Sequence, residues 1–354
     1  MLLNNKNLNK SKITFFDNFK DKRYTTWNAL KMLLLIGICI LFVFLTLSIY
    51  YDTHIGLEAD IVSSIHRRWP KMMMAFFSGG AIAVAGVLLQ KVTRNYLSDV
   101  SILGIGSLNI ILMTFYLISV SGRIKDTSSI EMRVLPIIMF LSSVFGTGII
   151  YTLSRLGKAN TEKFIVVGIA LNFLFEAISV VVVNPSNYEL KNKSITLALG
   201  FIQNYTLGII PNSKQIDIPT LVVCSTLIAL TLVPIWFLRK KIDLYETSED
   251  IARTTGINTE KLRIAVYSLV AILAGLEIVL VGYVALLGVI GGAVARKLFG
   301  NKTSLMMFGA FFIGAAVVLI ALFISNNLNT QIPVGFLATT IIVPYFMYLI
   351  IKGK

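Results

Sequence analysis

Long apolar runs recur along the whole chain, and they restrict its possible folds more than any other feature. Ten runs can serve as membrane-spanning segments, the eighth being short: 32–50, 72–90, 103–121, 134–153, 164–183, 219–238, 264–282, 284–298, 305–325 and 335–351. A helix of about 20 apolar residues crosses a hydrocarbon core about 30 Å thick. At 56% hydrophobic residues over 354, the chain holds more apolar surface than one soluble core can bury. We therefore expect an all-α polytopic membrane protein with about ten transmembrane helices.

The distribution of basic residues predicts how the helices are oriented. The chain has 32 Lys and Arg against 18 Asp and Glu, a net charge of +14, and the basic residues cluster in short loops between apolar runs. With ten spans and an inner N-terminus, 23 of the 32 basic residues lie on the inner side, as the positive-inside rule expects. The charge therefore reports membrane topology. It predicts cytoplasmic termini, with membrane lipid and not nucleic acid as the partner.

The stretch 195–210 is the one apolar segment whose place is ambiguous. Counting it as a further span would move the basic run 239–241 to the outer side, against the charge asymmetry. We therefore expect 195–210 to form an outer-surface or partly re-entrant helix within an outer segment, 184–218. The predicted organisation is a cytoplasmic N-terminal segment, 1–31, followed by a single transmembrane domain, 32–351.

Motifs for catalysis or metal binding are absent from the sequence. No Gly-x-x-x-x-Gly-Lys-Ser/Thr loop is present, so the chain does not bind ATP phosphates through that motif. The only histidines, His54 and His66, are twelve residues apart in one outer loop without a nearby cysteine, and Cys39 and Cys224 lie inside apolar runs. We expect neither a metal site nor a cofactor, and we do not expect an enzyme.

Two acidic residues, Glu176 and Glu277, fall inside apolar runs. A carboxylate at that depth is costly unless it faces water, pairs with a base or is protonated. Each is therefore either a residue that lines a polar path or a protonated, hydrogen-bonded packing residue. The first interpretation leaves open an ion-coupled secondary transporter in which these two acids carry a proton. A membrane receptor or assembly subunit that moves nothing is a third class.

The second span begins with the basic stretch Arg67-Arg68-Trp69-Pro70-Lys71 on the outer side, against the general charge bias. Proline suits a first helical turn and tryptophan suits the headgroup level, so the stretch can be an interface anchor with solvated charges. The alternative is a basic docking pad for an acidic partner.

A polar block, 243–263, interrupts the apolar sequence with five acidic and three basic residues. Such a block has to lie in water, and the charge distribution places it in the cytoplasm. We infer that something docks there.

The polar block also contains signals for the ends of helices. Ser248 can cap a short helix whose first residues, Glu249 and Asp250, lie near its positive N-terminal end. Gly256 can end that helix in the left-handed conformation, and Asn258 or the threonine after it can start the next helix. We expect a compact unit of two helices joined at a glycine.

Ordered motifs in both halves of the chain suggest a family. The first half contains Arg68-Trp69-Pro70-Lys71, Gly79-Gly80, Gly86-Val-Leu-Leu-Gln90, Arg94-Asn95-Tyr96-Leu97-Ser98-Asp99 and Ile102-Leu103-Gly104-Ile105-Gly106-Ser107. The second half contains Glu249-Asp250-Ile251-Ala252-Arg253-x-x-Gly256-Ile257-Asn258, Leu287-Gly288-Val289, Ala295-Arg296 and Ile332-Pro333-Val334-Gly335. Over 67–350 the chain resembles the iron-chelate (siderophore) and cobalamin ABC-importer permeases, the FecCD-like transmembrane subunits of type II importers. It departs from their pattern at Lys71, Tyr96, Asp99, Gly200-Phe201 and Gly291-Gly292.

The resemblance implies a vitamin B12-importer-permease-like bundle of ten helices, with both termini on the cytoplasmic side of a bacterial cell membrane. It also implies a second permease subunit, identical or related, two cytoplasmic ATP-binding subunits and an extracytoplasmic substrate-binding protein. The expected function is inward transport of an iron–siderophore complex, driven by ATP hydrolysis on a separate subunit. Haem and cobalamin are the alternative cargoes.

The resemblance further implies a role for each candidate site residue. Arg68 and Lys71 take the two basic positions that pair with acids on the binding protein, and Arg67 is a neighbour that can help. Asn172 and Glu176, in the fifth span, are the candidate path-lining residues. The polar block becomes the ATPase-coupling segment, which nucleotide-driven closure would move as a rigid body. Its contact residues are Glu249, Asp250, Arg253, Gly256 and Asn258.

Overall fold

The chain folds as a bundle of helices in a computed structural model that describes residues 5–48, 61–120, 130–155, 161–183, 218–327 and 332–351. Eleven α-helices and one 3-10 helix lie in these ranges, and no strand does. The α-helices are α1 (Asn5–Ser48), α2 (Ile61–Thr93), α3 (Ile105–Val120), α4 (Ile130–Ser154), α5 (Thr161–Val183), α6 (Ile218–Thr247), α7 (Glu249–Thr254), α8 (Thr259–Val281), α9 (Leu287–Phe299), α10 (Thr303–Asn327) and α11 (Val334–Ile351). The 3-10 helix, Val100–Leu103, lies between α2 and α3.

Each of the ten predicted spans overlaps one of these helices. Within the described residues, seven helices are long and apolar enough to cross a membrane, namely α1, α2, α4, α5, α6, α8 and α10. Helices α3 and α11 are apolar but shorter, and the predicted short eighth span is α9, with 13 residues. The prediction of an all-α polytopic membrane protein is confirmed.

Helices α2, α8 and α10 form the interior of the bundle. In their most apolar stretches, 83% of α2, 78% of α8 and 67% of α10 is buried, against 11% of α1 and of α5. Helix α2 contacts both α8 and α10. The outer helices turn large apolar side chains away from the bundle, among them Phe173 and Phe237, which are 66% and 75% exposed. Such faces suit contact with lipid or with another subunit.

Small residues let the inner helices approach closely. Gly79 of α2 lies against Gly314 of α10, where an added Cβ atom would lie 2.4 Å from the Gly314 carbonyl oxygen. Gly86 of α2 lies against Gly288 of α9, with 2.3 Å between an added Cβ atom and the Gly288 Cα atom. Close approach gives dispersion contacts that lipid tails would otherwise supply. Glycine pairs therefore hold α2 close to both α9 and α10.

The structure describes only a small part of the predicted outer segment but most of the predicted N-terminal segment. The outer segment 184–218 and the helix predicted at 195–210 lie outside the described residues, except that α6 begins at Ile218. Helix α1 runs through residue 31 without a break, so one helix contains the described part of the predicted N-terminal segment 1–31 and most of the first span. Residue 31 therefore marks a change of composition and not the end of a helix. The cytoplasmic place of that segment stays a prediction.

Candidate functional site

The predicted ATPase-coupling segment, 243–263, called the coupling segment, contains the end of α6, all of α7 and the start of α8. Ser248 is the N-cap of α7: its backbone is extended (φ −162°, ψ 136°), and its hydroxyl accepts a hydrogen bond from the Ile251 amide (3.4 Å). Glu249 and Asp250 occupy the first turn, near the partial positive charge of the helix N-terminus. The predicted cap is confirmed.

Gly256 ends α7 in the left-handed conformation, with φ +81°. The Gly256 amide donates to the Arg253 carbonyl (3.0 Å), and the Ile257 amide donates to the Ala252 carbonyl (3.0 Å). This pair of bonds is a Schellman motif, which satisfies carbonyl groups that the helix end would leave unpaired. The predicted stop is confirmed, and its backbone conformation favours a residue without a Cβ atom.

Asn258 begins the next helix. Its side-chain oxygen accepts a hydrogen bond from the Lys261 amide (2.9 Å), and α8 starts at Thr259. The buried Thr259 hydroxyl donates to Glu249 (3.3 Å), which also accepts a hydrogen bond from Arg253 Nη2 (2.7 Å). The Thr259–Glu249 bond joins the two helices, so α7 and the start of α8 form one corner.

The corner formed by α7 and α8 presents an exposed surface. Ile251 is 47% exposed and the Arg253 side chain is 61% exposed, while Ala252 between them is buried. The exposed surface of the corner therefore combines an apolar side chain with a charged one. A surface pocket of about 410 Å³ lies beside the corner, and it is lined by Arg253, Gly256, Ile257, Asn258, Thr259, Glu260 and Arg263.

Lys91, which the sequence analysis did not single out, contacts the coupling segment from α2. It is fully buried and forms ion pairs with Glu246 (2.5 Å) and Asp243 (3.3 Å). In the charge count, Lys91 is only one of the basic residues on the inner side. One sequence signal pointed to such a residue. The coupling segment has five acidic residues against three basic ones, and an excess of acids indicates a basic partner elsewhere in the chain.

The candidate docking residues lie in α2, beside the end of α1. Arg68 Nη1 donates to the carbonyl oxygens of Leu47 (2.8 Å) and Thr46 (3.2 Å), in the last turn of α1. A cation at this position satisfies helix-end carbonyls and meets their partial negative charge. Arg68 therefore holds the end of α1 in place. Lys71 is partly buried, and the side chain of Arg67 lies outside the described residues.

The candidate path residues on α5 have different surroundings. Ser107 of α3 donates a hydrogen bond to Asn172 Oδ1 (3.0 Å), so the Asn172 side chain contacts a neighbouring helix. Glu176, one turn further along, is exposed, as is Phe173. Asn172 is therefore hydrogen-bonded to another helix, whereas Glu176 is exposed.

Glu277, the other acid inside an apolar run, has the opposite environment to Glu176. It lies on α8 and is 2% exposed, and its Oε1 atom has no hydrogen-bond partner among the described residues. The structure thus distinguishes two acids that the sequence presents alike. In the described part of the chain, no group of three or more His, Cys, Asp and Glu side chains can hold a metal ion.

Comparisons with known proteins identify relatives of this chain. The sequence model of the FecCD transport family matches residues 29–352. The chain is 26% identical to the iron(3+)-hydroxamate import system permease protein FhuG of Bacillus subtilis (strain 168), over 316 residues that cover 87% of this chain and 89% of that protein. It is also 26% identical to the hemin transport system permease protein HmuU of Yersinia pestis, over 290 residues that cover 81% and 82%.

A solved structure has the same fold. It is a transporter assigned to the metal-chelate type of ABC transporter, in an inward-facing conformation. The two chains superpose with a TM-score of 0.72 at 20% sequence identity, over 90% of this chain and 98% of that chain. At this identity the likeness establishes the fold alone, whereas the family match extends over most of the sequence. The chain belongs to the FecCD transport family.

Proposed function

We propose that this chain is the transmembrane permease subunit of a binding-protein-dependent ABC importer that moves an iron–siderophore complex inward. One observation carries the proposal: a chain of the FecCD transport family presents a capped, exposed corner at α7, Gly256 and α8. The sequence contains no phosphate-binding loop, so any energy taken from ATP has to come through another chain. We therefore assign ATP hydrolysis to two cytoplasmic partner subunits.

The coupling segment is the proposed contact for the ATPase. Its exposed corner has an apolar centre at Ile251 and charges around it, and the caps on both sides of Gly256 fix its shape. An ATPase cleft that closes on such a corner displaces it as a rigid body. This assignment places the coupling segment and both termini in the cytoplasm. The proposed contact residues are Glu249, Asp250, Arg253, Gly256 and Asn258.

The stretch around Arg68 in α2 is the proposed contact for a substrate-binding protein on the outer side. Arg68 and Lys71, with Arg67 beside them, would meet acids of that protein. Because Arg68 already donates to the last carbonyls of α1, its position is set before docking, and less side-chain entropy is lost on binding. Charges at the rim of an interface mainly set the encounter rate and the orientation.

The outward face of α5 is proposed to line the transport path or the contact with a second permease subunit. Glu176 is exposed on this face among apolar side chains. A carboxylate that faced lipid tails at this depth would carry a large free-energy penalty. A second permease subunit, identical or related, would cover the face and leave Glu176 beside an aqueous space. Asn172 would add an amide one turn away.

The cargo is proposed from the relatives. FhuG is named for iron(3+)-hydroxamate and HmuU for hemin, and FeuC of Bacillus subtilis, 27% identical over 298 residues, is named as an iron-uptake permease. Iron held by an organic ligand is common to the first two names. The motif resemblance implies an iron–siderophore complex, so that complex is the first candidate, with haem and cobalamin as alternatives. We expect iron-loaded siderophores to win a competition panel against haem and cobalamin for the cognate binding protein. If the binding protein prefers haem or cobalamin, the preferred molecule is the cargo and the siderophore assignment is wrong.

Glu277 favours a second candidate function, an ion-coupled secondary transporter. It is buried, and one of its oxygens has no hydrogen-bond partner among the described residues, which is the environment of a group that can carry a proton. Glu277→Gln separates the two functions. A proton-coupled carrier loses uptake when this residue is replaced, whereas an ATP-driven importer retains it.

A further inference from the structure

Lys91 lies in the last turn of α2 and is completely buried. A buried ammonium group is tolerated only where other groups neutralise it and accept its hydrogen bonds. Three acceptors do so here: Glu246 Oε2 at 2.5 Å, Asp243 Oδ1 at 3.3 Å and the Asn301 carbonyl oxygen at 2.6 Å. All three ammonium donors are used, and they bind the end of α6 and the loop between α9 and α10.

The acids that hold Lys91 are themselves fixed by the start of α10. Asp243 Oδ1 accepts hydrogen bonds from the Thr303 amide (2.9 Å) and from the Thr303 hydroxyl, so it acts as a cap for α10 from another helix. Asn301 Nδ2 donates to Glu246 Oε1 (2.9 Å). These residues together, which we call the Lys91 cluster, are Lys91, Asp243, Glu246, Asn301 and Thr303. The cluster joins the end of α2, the end of α6 and the start of α10.

Two arginines reinforce the same junction. Arg94, immediately after α2, donates to the Tyr245 carbonyl (2.7 Å), and its guanidinium lies 4.7 Å from the centre of the fully buried Tyr245 ring. Arg296 of α9 donates to Asn301 Oδ1 (3.1 Å). The end of α6 is therefore held on two sides by groups from α2 and from the loop before α10.

The Lys91 cluster lies directly beside the coupling segment's exposed corner. Glu246 is two residues before Ser248, the N-cap of α7, and α6 continues to the residue before that cap. A displacement of α7 therefore acts first on the end of α6. The displacement then moves α2 and α10 together, because these two helices are in backbone contact at Gly79 and Gly314.

We propose that the Lys91 cluster transmits movement of the coupling segment to α2 and α10, and that Lys91 is a positioning residue for coupling ATP hydrolysis to transport. The inference rests on the proposed function, because it takes the driving movement from partner ATPases. Lys91 is fully buried and holds two carboxylates that would otherwise repel each other; the Glu246 side chain is 10% exposed and the Asp243 side chain 35%. Without the ammonium group, α6 and α10 lose their common partner, and α7 moves without carrying them.

The test compares transport with ATP hydrolysis in the complete importer, reconstituted in proteoliposomes with its binding protein. Lys91→Met keeps most of the side-chain length and removes the charge. We expect the amount of cargo moved per ATP hydrolysed to fall by about fivefold or more, the range of energetic couplings between distant sites, while hydrolysis continues. A double variant that exchanges the two charges, Lys91→Glu with Glu246→Lys, should recover part of the lost transport per ATP. The matched control is Lys240→Met, which changes an exposed lysine near the end of α6 and should leave the ratio unaltered.

A second variant guards against a failure of Lys91→Met to assemble. Glu246→Gln keeps Asp243 as a partner for Lys91, and it should lower the ratio in the same direction. An unchanged ratio in assembled Lys91→Met or Glu246→Gln complexes overturns the inference and leaves the proposed function standing. Equal losses of transport and hydrolysis also overturn it, since they indicate a purely structural role. Absence of ATP-dependent uptake by the unmodified importer overturns the proposed function, and the inference with it.

Discussion

Gly79 and Gly314 are in backbone contact at the centre of the bundle. A Cβ atom on Gly79 would lie 2.4 Å from the Gly314 carbonyl oxygen, and a Cβ atom on Gly314 would lie even closer to the Gly79 carbonyl oxygen. Neither backbone atom can move without moving its helix. This contact sets the distance between α2 and α10, the two helices that the Lys91 cluster joins near the coupling segment.

Replacing Gly79 by Ala should lower the free energy of unfolding by about 1–3 kcal/mol, because the added methyl group forces two packed helices apart. The higher helix propensity of alanine than of glycine offsets about 1 kcal/mol of this loss. Gly148→Ala is the matched control, since an added Cβ atom there has nothing within 4 Å. Denaturant unfolding in detergent measures both variants. Equal stability of the two would contradict the close contact.

Replacing Gly256 by Val should impair ATP-driven uptake while leaving membrane insertion intact. An added Cβ atom at Gly256 meets no atom within 4 Å, so the penalty comes from its φ of +81° alone. That penalty is about 1–2 kcal/mol for an ordinary L-residue. Gly256→Asn is the control and should retain more uptake, because asparagine tolerates the left-handed conformation. Normal uptake by Gly256→Val would count against the coupling role of the corner.

Replacing Ser248 by Ala should loosen α7, because the Ile251 amide loses its hydrogen-bond acceptor. The expected loss of local stability is about 1 kcal/mol. Hydrogen exchange of the α7 amides measures it, and Ser248→Asp should restore protection because aspartate caps equally well. If exchange in Ser248→Ala matches that of the unmodified chain, the cap does not hold α7.

Reversing the charges of Arg68 and Lys71 should weaken association with the binding protein at low salt. An ion pair at the solvated rim of an interface contributes up to about 1 kcal/mol, so the double variant should lose several-fold to tens-fold in affinity. The difference should shrink as salt is added. Lys240→Glu, on the opposite side in the predicted topology, is the control. Unchanged affinity at low salt would remove the docking assignment.

The ends of α7 could be predicted from the sequence because capping acts over a few residues. Ser248 bonds an amide three positions away, and Gly256 supplies the required backbone conformation by itself. Lys91 could not be predicted in the same way. Its partners Asp243 and Glu246 lie 152 and 155 positions away, and a charge count treats a lysine at a helix end as solvated.

The two acids in apolar runs show the same limit of sequence reasoning. Hydropathy predicts that Glu176 and Glu277 both lie within membrane-spanning helices. It does not predict which face of each helix is covered by neighbouring helices. Only the packing of the helices exposes Glu176 and buries Glu277. The hydrogen bonds from Arg68 to the end of α1 likewise depend on how two helices meet, and the residue types around Arg68 do not indicate them.

Uptake of an iron-loaded siderophore by sealed vesicles tests the proposed importer most directly. The vesicles contain this chain with its partner permease and ATPase subunits and are supplied with the binding protein, and an uncoupler collapses the proton gradient. We predict uptake that requires ATP and the binding protein and that survives the uncoupler. Uptake that persists after the ATPase is removed, or that stops with the uncoupler while ATP is present, would contradict an ATP-driven importer.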